Sequence, residues 1–184
     1  MPVSGRWLST ALLLGCASRG PTDRPAHAPP ADPAGTETPP TPTELVEQLE
    51  AHGSIPMLDR ENTLRGIDEN NDGIRDDVEI YIHWHYPKLE APARQLAAAL
   101  QASLLVDLGN AEALGEVAMQ VARAVDCVDR SGLDIQNKPD DPHVLDDLQA
   151  ITANTKHRML AYLAFNAALD GTLSFPLEGD ACDP

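Results

Sequence analysis

Past residue 41 the chain alternates between stretches in which apolar side chains recur every three or four residues and short polar stretches rich in Gly, Pro, Asn and Asp, the layout of helices joined by loops. Thr41, Pro42 and Glu44 form a capping box with proline at the first helical position, and Leu45, Val46 and Leu49 share a face that ends at Gly53. A loop is expected from Ser54 to Gly73. Ile74, Val78, Tyr81, Ile82 and His85 then mark a helix that stops before Pro87, and Pro92 opens another with Leu96, Leu100 and Leu104 as its stripe. Gly109 and Asn110 end that helix and cap the next, whose apolar face is Leu114, Val117, Val121, Val125 and Val128. After a polar, proline-containing loop from Arg130 to Pro142, one long helix is expected from Val144 to Asp170. It should bury Leu148, Ile151, Met159, Tyr162, Leu163 and Leu169, with Gly171 ending it. Only Thr172 to Leu177 hints at a strand, and Pro176 interrupts it. The expected fold is all-α, a small bundle of about five helices.

The aromatic residues of this region fall in two places, Tyr81, Trp84 and Tyr86 on one helix and Tyr162, Phe165 and Phe175 on or after another. Aromatic side chains bury the largest areas, which predicts that these two helices pack together in the core.

Composition changes sharply before Thr43. Eight of the sixteen prolines lie between Ala17 and Thr43, among Ala, Thr and Gly and without large apolar side chains. Nothing there offsets the entropy of ordering the backbone, so residues 16–42 are expected to be a disordered, extended linker. Residues 43–184 are of a size for one domain with one core.

The first fifteen residues have a third character: Arg6, an apolar stretch from Trp7, and small residues before Cys16. That is the layout of a secretory signal, and it is too short to remain as a membrane span. Leu13, Leu14, Gly15 and Cys16 resemble the lipobox of bacterial lipoproteins, with leucine where a small residue is more usual before the glycine. An ordinary signal peptide with an incidental cysteine is the alternative. The resemblance implies that residues 1–15 are removed and that Cys16 carries acyl chains such as palmitate, anchoring the chain to a membrane. It also implies a cell-envelope location. Ala17 stands where aspartate signals inner-membrane retention, so the outer membrane is expected if the host is Gram-negative.

The formal charge of −16 at pH 7 repels phosphate backbones, and no Lys/Arg cluster reverses it locally, so no nucleic-acid partner is expected. A monomer is expected.

Candidate chemistry concentrates in the twelve residues from Asp68 to Glu79. Calcium takes six to eight oxygens, and alternating side chains at loop positions 1, 3 and 5 turn toward one centre when a glycine at 6 permits the bend. Asp68, Asn70, Asp72 and Gly73 occupy those positions. The Ile74 carbonyl, Asp76 through a water, and Glu79 with both oxygens would complete the set. An Asn/Asp-rich turn before a helix with an acidic first turn is the alternative. The stretch resembles EF-hand and EF-hand-like calcium loops. Two features depart from the pattern: Arg75 replaces the aliphatic residue that pairs one loop with another, and residues 59–67 lack an entering helix. With no second loop, the resemblance implies a lone structural calcium site and not a paired sensor. The stretches from Gly66 to Ile82 and from Asn154 to Cys182 also resemble uncharacterised bacterial lipoproteins, a resemblance that implies no activity.

With Cys16 acylated, Cys127 and Cys182 remain in an exported chain, where a disulfide is expected, two free thiols or a metal pair being the alternatives. His83 and His85 point about 200° apart on a helix and cannot share a metal, and no serine sits in a nucleophile context. No catalytic residue is assigned. The expected function is that of a membrane-tethered envelope lipoprotein with a calcium-stabilised helical binding or structural module. The alternative is a calcium-dependent envelope hydrolase using carboxylates near Asp76 and Asp77 with His83 or His85, which requires these groups to converge on a pocket.

Overall fold

A computed structural model of the chain describes residues 39–132, 143–171 and 179–183. Cys16, the linker up to residue 38, and Phe175 lie outside the described residues. The fold is all-α, with no strand among the described residues: α1 (Pro42–Ala51), α2 (Asp76–His85), α3 (Glu90–Leu105), α4 (Ala111–Gly132), α5 (Val144–Thr152) and α6 (Lys156–Ala168). No helix among the described residues is long and apolar enough to cross a membrane.

The centre of the fold is α3. Leu96, Leu100 and Leu104 form the expected stripe, but Ala93, Ala97 and Ala99 are buried as well, and the helix is enclosed on most of its circumference. It packs against α2, α4, α5 and α6. The alanines let those neighbours approach closely, while each buried leucine contributes about 1.5–3 kcal/mol. The two polar residues enclosed with them are satisfied: Gln101 donates to the carbonyls of Leu64 and Arg65, and Ser103 to that of Leu100.

The aromatic pairing of two helices does not form as expected. Tyr81, Tyr86 and Phe165 are buried, but α2 and α6 both pack chiefly on α3, and Trp84 is 51% exposed. His85, expected on the inner face of α2, is exposed and stacks on Tyr81 with ring centroids 4.2 Å apart.

The long final helix also divides. α5 stops at Thr152 and α6 starts at Lys156, because Thr155 is an N-cap whose hydroxyl accepts from the Arg158 amide at 3.3 Å. Thr155 is a residue whose side chain competes for backbone groups, and here it takes the Arg158 amide, while Asn154 between the helices accepts from Arg75 and Arg158. The break rotates α6 out of the α5 register, which leaves Met159 42% and Leu163 53% exposed although Leu148 and Ile151 are buried.

The burial of α1 and the end of α4 also differ. The capping box of Thr41 and Glu44 is present in full, yet α1 buries no residue, and Leu45 and Leu49 stay exposed. α4 continues to Gly132, beyond the loop start expected at Arg130, where Arg130 pairs with Asp126 at 2.7 Å and donates to the Gly179 carbonyl. Asn110 caps α4, its side chain accepting from the amides of Glu112 and Ala113.

Cys127 and Cys182 are joined in a disulfide across 55 residues of sequence. The bond holds residues 179–183 on α3 and α4, where Gln95 donates to the Ala181 carbonyl and accepts from the Asp183 amide. Replacing Cys127 with serine frees a loop of that length and should lower the unfolding free energy by about 4 kcal/mol, with helical circular dichroism retained at low temperature. An unchanged urea midpoint would contradict a stabilising role for the bond.

Candidate metal centre

The residues from Ile67 to Glu79 fold as a closed loop running into the first turn of α2, and the Asp76 amide donates to the Ile67 carbonyl at 3.0 Å to close it. Side-chain oxygens organise its interior. Asp68 Oδ2 accepts from the Gly73 amide at 3.1 Å, Asn70 Oδ1 from the Asp72 amide at 3.0 Å, Asp72 Oδ1 from the Ile74 amide at 2.9 Å and Asp76 Oδ1 from the Glu69 amide at 3.1 Å. Asn71 and Gly73 take positive φ, 57° and 88°, which tightens the bend as the Asn-Asp-Gly sequence anticipates.

The structure therefore brings Asp68, Asn70, Asp72, Asp76 and Glu79 to one loop, with Ile74 buried at its edge. Asp68 Oδ1 is buried and has no hydrogen-bond partner. Asn70 Nδ2 faces Asp72 Oδ2 at 3.1 Å and both Glu79 oxygens at 3.4 Å. From α3, Arg94 Nη2 reaches Asp72 Oδ2 at 2.6 Å and Glu79 Oε1 at 2.5 Å. Burial disfavours the charge on Asp72, but the Ile74 amide and Asn70, with Arg94 adding, hold its carboxyl below the usual range. With these donors in place, no cluster of three or more Asp, Glu, His or Cys side chains among the described residues is arranged to hold a metal ion. As chemistry, the donor set is all oxygen, and the orphaned Asp68 oxygen stands at the first ligand position. Both features fit a hard cation.

Behind the loop lies a network that the sequence did not disclose. Arg75, a departure from the EF-hand pattern, is fully buried, and its Nε and Nη2 bind Asp77 Oδ1 and Oδ2 at 2.9 and 2.6 Å. Its Nη1 donates to the Thr152 carbonyl and to Asn154 Oδ1. Arg158 is also fully buried; it pairs with Asp59 Oδ2 at 3.0 Å and donates to the Asp59 and Thr63 carbonyls and to Asn154 Oδ1. Gly66 crosses directly over this cluster with φ of 71°, and a Cβ there would meet Arg75 Cδ and Asp59 Oδ2 at 2.5 Å each. The local signals for these residues were Arg75's misfit in the calcium-loop pattern and the Asn-Thr pair at 154–155, a helix-capping sequence.

Burial lowers the Arg158 pKa and the like charge of Arg75 adds to it, Asp59 opposing both. For Asp59, burial works to raise the pKa, but the Glu61 and Ile67 amides and Arg158 outweigh it, and the carboxyl lies below its ordinary 3.8.

The residues of the hydrolase alternative do not converge. Asp77 is engaged by Arg75, His83 is exposed 3.7 Å from Glu90, and His85 is exposed against Tyr81. A groove of about 430 Å³ lies elsewhere, between α1, the segment at Ile55 to Arg60, α5 and Met159 of α6. At its floor Asp147 accepts from Tyr81 at 3.1 Å and from Tyr86, and burial, followed by the Asp147 charge, pushes the Tyr81 hydroxyl up to about 12. His52, His143 and His157 are exposed. No family of known proteins, no curated protein and no solved structure matches this chain.

Removing one partner from a buried ion pair leaves the other charge uncompensated, so Arg158→Met should destabilise the domain by about 3–5 kcal/mol in urea titrations. Gly66→Ala should also be strongly destabilising, through both the close contact and the positive φ. Asp59 binds a proton less readily folded than unfolded. Its stabilising contribution is therefore complete above about pH 5 and lost as pH falls below about 4 through the folded pKa. The pH dependence of the urea midpoint between about pH 3 and 6 should flatten in Asp59→Asn; an unaltered profile would remove Asp59 from the acid response.

Proposed function

We propose that this chain is a bacterial envelope lipoprotein, anchored to a membrane through acylated Cys16, whose helical domain is a binding or structural module stabilised by calcium in the loop from Asp68 to Glu79. The observation that carries the calcium reading is the buried Asp68 Oδ1 without a partner, at the first position of a loop whose other ligand positions are all filled by oxygen-bearing groups. Asp68, Asn70, Asp72, the Ile74 carbonyl, Glu79 and, through a water, Asp76 would hold the ion. It would supply the positive charge that offsets four carboxylates and fixes the loop on the start of α2. The disulfide supports an oxidising compartment, in keeping with the export signal before Cys16.

In the envelope, calcium at millimolar concentration fills even a weak site. Titration calorimetry on the purified chain should show calcium binding, with a matching rise in melting temperature. Glu79→Gln should weaken the binding more than tenfold, because the position-12 residue supplies two of the ligand oxygens. Absence of both heat and thermal shift at millimolar calcium would refute the metal reading. Incorporation of labelled palmitate by wild type and not by Cys16→Ser tests the anchor independently.

A further inference from the structure

The calcium loop has a second cation within reach, and it belongs to the fold. Arg94 sits in the N-terminal part of α3, and one of its nitrogens, Nη2, bridges Asp72 Oδ2 and Glu79 Oε1 at 2.6 and 2.5 Å. These carboxylates occupy loop positions 5 and 12, which approach a bound ion from different sides. Asp72 Oδ1 is already engaged by the Ile74 amide, so Oδ2 is the oxygen left to face an ion, and it is the one Arg94 holds. Asn70 Nδ2 turns toward the same oxygens. In this form of the loop, donors from the chain itself stand where a metal would draw the oxygens together. A guanidinium and a divalent ion cannot share those oxygens, since calcium requires them at about 2.3–2.6 Å and the like charges would then be nearly in contact.

We propose that Arg94 is a built-in competitor for the calcium site: it latches Asp72 and Glu79 in the calcium-free loop and is displaced when the ion binds. The proposal rests on reading residues 68–79 as a calcium loop. Arg94 has room to move, because its side chain is 34% exposed and, among the described residues, its guanidinium pairs with these two carboxylates. A destination is at hand. Arg94 also borders a cleft of about 290 Å³ that contains Gln95, Cys182 and the Asp183 carboxylate. Among the described residues, the Asp183 carboxylate there makes a long pairing, 3.8 Å, with Arg123. Two consequences follow. Arg94 raises the calcium concentration at which the loop fills, and filling the loop changes the charge partners at the corner where the disulfide ties the tail to α4 beside Gln95 of α3.

The test compares the full chain, in detergent, as wild type and as Arg94→Met, which keeps the length of the stem and removes the charge. Calorimetric titration with calcium should give a dissociation constant roughly three- to tenfold lower for the variant. Without calcium, the variant should melt at a lower temperature than wild type. Equal or weaker calcium binding by the variant overturns the competitor role while leaving the calcium reading intact; no binding by either chain overturns both. A second measurement needs no substitution. In nitrogen-15 arginine spectra of wild type, the Arg94 side-chain protons should exchange with water faster at saturating calcium than in its absence. Unchanged exchange in a calcium-loaded chain overturns the displacement even if Arg94→Met fails to fold.

Discussion

Two guanidinium groups with no access to water set the terms for most of this fold. A buried positive charge is tolerated only when a carboxylate and further acceptors surround it, and Arg75 and Arg158 each have such a set. They share Asn154 as a common acceptor, and they draw on backbone carbonyls at Asp59, Thr63 and Thr152. Those demands shape the chain nearby. α5 must end where its last carbonyls can turn to Arg75, which is where it does end. The segment from Asp59 to Gly66 must offer carbonyls sideways, so it cannot be the helix that precedes the loop in an EF-hand. Gly66 must be glycine because a Cβ there would lie 2.5 Å from Arg75 Cδ and Asp59 Oδ2 and 2.9 Å from Arg158 Nη2, and because its φ is 71°.

The loop from Asp68 to Glu79 hangs between two kinds of charge pairing. On its inner side, Arg75 and Asp77 form a permanent pair that also anchors the start of α2. On its outer side, Arg94 makes a partly exposed pairing with Asp72 and Glu79, which solvent screens in part and another cation could replace. The inner pair holds the base of the loop within the chain's own network, and the outer one leaves the Asp72 and Glu79 oxygens exchangeable. Under the proposed calcium reading, a loop arranged in this way is already folded before the ion arrives, so the ion would add stability without having to organise the chain.

What could be read in the sequence was whatever had a local or counting signature. The stripe of Leu96, Leu100 and Leu104, the capping box at Thr41, the cap at Asn110 and the pairing of Cys127 with Cys182 all belong to that class. The arginine network does not, because Arg158 and Asp59 lie nearly a hundred positions apart and no periodicity links them. Arg75 was visible only as a misfit in a calcium-loop pattern, where its reason is tertiary. The break between α5 and α6 was hidden by leucines and a methionine that continue the helical period across it, although Thr155 carried the capping chemistry. Trp84 misled for a simpler reason: a large aromatic side chain favours burial, but its position on α2 faces away from α3. Within the loop, the bend at Asn71 and Gly73 and the alternating oxygen-bearing side chains were legible, and Arg94 was not, since it arrives from another helix.

Whether the arginine network or a metal ion shapes the loop is most directly decided by hydrogen exchange at the Ile74 and Asp76 amides in the presence of a calcium chelator. These amides donate to Asp72 Oδ1 and the Ile67 carbonyl. In wild type they should remain protected without calcium, and substitution of Asn154 by alanine, which removes the acceptor both arginines share, should abolish that protection while the amides of α3 stay slow. Protection that arises in wild type only after calcium is added, or that survives unchanged in Asn154→Ala, would contradict the account.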